Sequence, residues 1–88
     1  MEAFLNKLQK LPEGYTKVIF NHKTYGLTLS NFNRGKSVKV YAKELGGNNF
    51  ISFNYYTING RGVVKPCEMP LQKVTYFMEN IIIQRAAL

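Results

Sequence analysis

The 88-residue sequence has one cysteine, one histidine, no tryptophan and, among its five acidic residues, no aspartate. A lone Cys67 cannot close a disulfide within the chain, so the reading is of a cytoplasmic protein. A lone His22, set among polar turn residues, provides neither a set of His and Cys metal ligands nor a Cys–His catalytic pair, and no metal or cofactor is expected. No purely aliphatic run exceeds the three residues of Ile81-Ile82-Ile83. About 20 are needed to cross a bilayer, which excludes a membrane-spanning helix. Met1 to Leu11 alternates polar and apolar residues, unlike a basic segment followed by an apolar core, so it does not read as a secretory leader.

What is present is the material of one small domain over residues 1–88, with 45% hydrophobic and 14% aromatic positions. A chain of this size buries only about 60 to 65% of its unfolded surface. A shallow or shared site is expected rather than a deep cleft between lobes, and a binding module is favoured over an enzyme.

Phe4, Leu5, Leu8 and Leu11 recur at helical spacing until Pro12-Glu13-Gly14 stops the turn, which predicts an amphipathic helix over about 2–10. From Tyr15 the period changes to two, and β-branched and aromatic residues dominate. Strands are expected at Tyr15 to Phe20, Tyr25 to Phe32, Ser37 to Leu45 and Asn49 to Ile58, with a fifth at Gly62 to Lys65. Turn clusters separate them, and Asn59-Gly60 is the strongest hairpin signal, since both central positions of such a turn require positive φ. Pro70 then fits the first turn of a second helix, whose apolar stripe is Leu71, Val74, Phe77, Met78, Ile81 and Ile82. The expected fold is α+β: a two-layer, antiparallel four- to five-stranded meander flanked by an N-terminal and a C-terminal helix. Both helices would lie on one face over Val18, Phe20, Leu27, Leu29, Val38, Val40, Ile51 and Phe53.

The net charge of +7 is unevenly placed. Residues 14 to 67 hold Lys17, Lys23, Arg34, Lys36, Lys39, Lys43, Arg61 and Lys65 against Glu44 alone, whereas the charges of the helical ends cancel. Strand alternation sends Val38, Val40 and Ala42 one way and Lys39, Tyr41 and Lys43 the other. The same parity adds Tyr15 and Lys17 from the first strand and Tyr56 from the fourth. Alternate turns of a meander share an end, so Arg34, Lys36 and Arg61 should form a second basic cluster. A basic face bearing tyrosines is the pattern of a sheet that stacks unpaired bases and follows their phosphates, so the expected partner is single-stranded nucleic acid or another polyanion. The candidate binding residues are therefore Tyr15, Lys17, Arg34, Lys36, Lys39, Tyr41, Lys43, Tyr56 and Arg61. Lysine and tyrosine are also ordinary occupants of a solvated sheet face, where basic turns discourage edge-to-edge association.

Two other readings have a residue basis. Cys67, in Lys65-Pro66-Cys67-Glu68-Met69-Pro70, precedes the second helix, where a helix N-terminus and Lys65 would favour a thiolate. An isolated cysteine is also a common small core residue. Beyond the core-facing stripe, Tyr76, Ile83, Ala87 and Leu88 give the last helix additional apolar surface, on which a second copy would dock as a homodimer.

The run Tyr41-Ala42-Lys43-Glu44-Leu45-Gly46-Gly47-Asn48-Asn49-Phe50-Ile51-Ser52-Phe53-Asn54-Tyr55-Tyr56, with Lys65 to Pro70 after it, resembles a family of small bacterial proteins, some of which bear the name peptide methionine sulfoxide reductase. The resemblance implies that Cys67 attacks a sulfoxide sulfur and that Glu68 supplies a proton. The Gly-Cys-Phe-Trp and Arg-x-Cys-x-Asn motifs of the two reductase classes are both absent, and no resolving cysteine exists. The order of elements is also similar to that of double-stranded RNA-binding domains, and to single-strand binders built as a meander followed by a helix. These likenesses imply a fold only.

Overall fold

In a computed structural model, which describes residues 2–84, two helices flank a run of antiparallel strands. The elements are α1 (Glu2–Lys10), β1 (Gly14–Phe20), β2 (Lys23–Phe32), β3 (Ser37–Glu44), β4 (Phe50–Ile58), β5 (Arg61–Pro66), α2 (Leu71–Asn80) and β6 (Ile82–Ile83). The six strands form one sheet in the order β5-β4-β3-β2-β1-β6. The meander expected from period-two patterning is present, the fifth strand included. No described helix is long and apolar enough to cross a membrane.

The turns follow their chemistry. Asn59 and Gly60 take φ of 51° and 75°, as does the pair Asn21 and His22 at 55° and 66°, giving two-residue hairpins whose twist matches the strands they join. Asn33, Arg34 and Gly35 carry β2 into β3 with φ of 54°, 58° and 85°. At Gly60 any side chain would be held in the left-handed region, so Gly60→Ala is expected to cost about 1 kcal/mol. A thermal melt should show a midpoint lower by roughly 5 °C.

The core lies between the sheet and the two helices. Phe4, Leu8 and Leu11 from the N-terminal segment, and Val74, Phe77, Met78 and Ile81 from the C-terminal one, close over Val18, Tyr25, Leu27, Leu29, Val40, Ala42, Ile51 and Phe53. Phe4 meets Phe53 at a ring-centroid distance of 5.4 Å, and Phe77 meets Phe20 and Tyr25 at 5.0 and 5.2 Å. Burial of Tyr25 is permitted because its hydroxyl accepts a hydrogen bond from Asn49 Nδ2 at 2.8 Å.

Two expectations for the second helix are corrected. Leu71, at its first turn, is exposed and outside the stripe. Ile82 is not helical at all: α2 ends at Asn80, and Ile82 and Ile83 pair with Ile19 and Val18 as a sixth strand that the periodicity did not reveal. In the extended backbone Ile83 turns towards the core and Ile82 away from it, 63% exposed. The apolar surface assigned to a dimerising last helix is thus divided. Tyr76 stays exposed on α2 and stacks edge-on against Phe20, Ile83 belongs to the sheet, and Ala87 and Leu88 lie outside the described residues. The end of α2 is held by Lys7 of α1, whose Nζ donates to the carbonyls of Glu79 and Ile81. A cation there satisfies carbonyls that the helix itself leaves open.

Candidate nucleic-acid interface

Because both helices lie on one side, the reverse of the sheet is open, and strand register fixes what stands on it. Tyr15, Thr28, Tyr41 and Ser52 are successive cross-strand partners and form one row over β1, β2, β3 and β4. To one side runs the row Lys17, Gly26, Lys43, Phe50. To the other runs Ser30, Lys39, Asn54, Lys65, and beyond it Phe32, Ser37, Tyr56, Val63. Ile58 and Arg61 close the face. Cationic and aromatic rows therefore alternate, about 6 to 7 Å apart, the rise of two residues along a strand.

Lys17, Lys39, Lys43, Lys65 and Arg61 are all exposed, as are Tyr15, Phe32 and Tyr41, at 61%, 52% and 42%. Tyr56 is half-buried. The Tyr15 ring lies across Gly26, occupying the space a side chain would take there, so the missing Cβ provides its bed. Phe50 sits at the margin, 6.1 Å from Tyr41, with the ammonium of Lys73 5.7 Å from its ring centroid. Ser52 shares the outward parity but is buried, in register with Tyr41 on one side and with the Cys67 amide donating to its carbonyl at 2.9 Å on the other.

No outward strand position carries an acid. Of the strand residues only Glu44 is acidic, and it turns to the helix side, where it meets Lys23 at 3.7 Å and receives the Asn49 amide. The remaining glutamates lie on helices or connecting segments. The strand positions of the face thus carry a single sign of charge, the condition under which a surface attracts a polyanion at a distance.

All nine residues selected from the sequence can be placed. Tyr15, Lys17, Lys39, Tyr41, Lys43 and Tyr56 share the open face, and Arg61 stands in its last row. Arg34 and Lys36 occupy the β2–β3 turn beside it. The two turn tips do adjoin, as the Thr57 amide donates to the Lys36 carbonyl at 2.9 Å. Sequence reasoning overlooked Phe32 and Lys65, although counting in twos from Ser30 and from Val63 reaches both.

Cys67 is half-buried at the end of the Tyr15–Tyr41 row, its sulfur accepting from Asn54 Nδ2 at 3.6 Å. Glu68 beside it is exposed, and His22 lies in the β1–β2 turn, across the sheet from β5. Among the described residues no three His, Cys, Asp or Glu side chains gather as metal ligands. On the helix side a cavity of about 390 Å³ opens at the margin of α1, lined by Leu29, Val38 and Tyr55 of the sheet and by Leu5, Leu8 and Leu11. The one charged residue in its lining is Glu13, so it offers an anion nothing.

Comparison with protein-family models, curated proteins and solved structures returns nothing that matches this chain.

Proposed function

We propose that the protein is a small non-enzymatic module that binds single-stranded nucleic acid on the open face of its sheet. The observation that carries this reading is the alternation of exposed aromatic rows with exposed cationic rows on a face whose strand positions hold no carboxylate. Base stacking needs bare ring faces, and phosphate needs cations one base-to-backbone reach away. The register supplies both together. Tyr15, Tyr41 and Tyr56 stack bases, and Lys17, Lys39, Lys43 and Arg61 contact phosphates, with Arg34 and Lys36 extending the positive field at the turn tips. A duplex hides its bases, so the tyrosines favour unpaired strands.

Titration of a fluorescein-labelled deoxythymidine oligomer at low salt is expected to show saturable binding by anisotropy. The same oligomer annealed to its complement should bind more weakly. Absence of binding at low salt overturns the reading.

A further inference from the structure

The rows also define a direction. They run across the strands, and the one between the two aromatic rows is polar throughout: Ser30, Lys39, Asn54 and Lys65, from β2, β3, β4 and β5 in turn. It is flanked by Tyr15 and Tyr41 on one side and by Phe32 and Tyr56 on the other.

Resting on the function proposed above, we infer that a bound single strand crosses the sheet at right angles to the β-strands, its sugar–phosphate backbone centred on the Ser30–Lys39–Asn54–Lys65 row, its bases leaning on the aromatic rows to either side, and Lys17, Lys43 and Arg61 meeting the phosphates of the flanking nucleotides. Phe32 and Lys65 then become binding residues. A strand laid lengthwise along β3 would use Lys39, Tyr41 and Lys43 and leave Phe32, at the end of β2, and Lys65, out on β5, untouched. Three features favour the crossing path. Phe32 is 52% exposed on a strand whose opposite side is core, so burial does not account for it. The crossing row sets Lys39 of β3 and Lys65 of β5 in line on either side of Asn54, with Ser30 completing an unbroken polar track. Lengthwise on β4 the outward sequence is Phe50, Ser52, Asn54, Tyr56, Ile58, without a single charge of its own, so a backbone running along that strand would have aromatic and aliphatic side chains beneath it and cations only to its sides.

The test compares Phe32→Ala, Lys65→Ala and Lys10→Ala with the unchanged protein against the labelled deoxythymidine oligomer. Lys10 is exposed on α1, on the opposite side of the sheet, so Lys10→Ala removes the same charge from the wrong face. Phe32→Ala is expected to weaken binding about tenfold, the loss of one base–aromatic stack, without changing the salt dependence. Lys65→Ala should weaken binding and reduce the slope of log K against log salt by about 0.7. Lys10→Ala should do neither. Circular dichroism melts verify that each variant is folded, and Phe32→Tyr, which keeps a ring at the site, should restore binding. If the unchanged protein binds but Phe32→Ala and Lys65→Ala behave as Lys10→Ala does, the crossing path is overturned while the function stands. If the unchanged protein does not bind at low salt, both fall.

Discussion

Raising the salt from roughly 50 to 200 mM should weaken oligonucleotide binding by about a hundredfold. Each phosphate neutralised on a single strand contributes about −0.7 to the slope of log K against log salt. Five exposed cations stand on the open face: Lys17, Lys39, Lys43, Lys65 and Arg61. Their joint slope is about −3.5, and a fourfold rise in salt then gives a loss of about two orders of magnitude. Arg34 and Lys36, beyond the edge of the face, steepen this only where the strand reaches the turns. A measured slope near zero, with affinity retained, would mean that the rings bind the ligand without the lysines and that the charge has some other role. Potassium glutamate and potassium chloride titrations, run in parallel, separate cation release from anion competition.

The second large effect concerns the other side of the sheet. Phe53→Ala should destabilise the protein by about 3 to 5 kcal/mol, because the ring is wholly buried between β4 and α1 and its removal leaves a cavity that the sheet cannot close. A domain of this size has on the order of 4 to 13 kcal/mol in total, so the variant should melt at least about 15 °C lower, measured by circular dichroism. Phe32→Ala deletes the same side chain from the same sheet and should cost less than about 1 kcal/mol, since that ring is mostly in water already. The two substitutions have opposite signatures: one spoils folding, the other spoils binding. A Phe32→Ala protein as unstable as Phe53→Ala would mean that the outer face is covered.

Much of this was legible in residue order. In β3 the alternation Val38, Lys39, Val40, Tyr41, Ala42, Lys43 assigns both faces without ambiguity, because small and branched apolar residues never share a side with the lysines. The Asn59-Gly60 turn was legible for a similar reason, since few dipeptides tolerate two successive positive φ values. The end of α2 was not legible. Ile81-Ile82-Ile83 satisfies a helical stripe and a short strand equally, and β-branched residues tip towards extended backbone only when a partner strand is present. That partner is β1, and the cation that closes the helix end, Lys7, is more than 70 positions away in the chain. Neither contact leaves a local trace. Phe32 adjoins a polar turn, and only the register that pairs it with Ser37 fixes it on the outer face.

The seam between α1 and α2 has a consequence for synthesis on the ribosome. Hairpins β1–β2, β2–β3, β3–β4 and β4–β5 link near neighbours and can zip in order of emergence, but the half of the lid that α2 supplies, with Phe77 over Phe20 and Tyr25, waits for residues 71–81. Until then the nascent meander shows its greasy side to water or to a chaperone, while its lysine side is already formed.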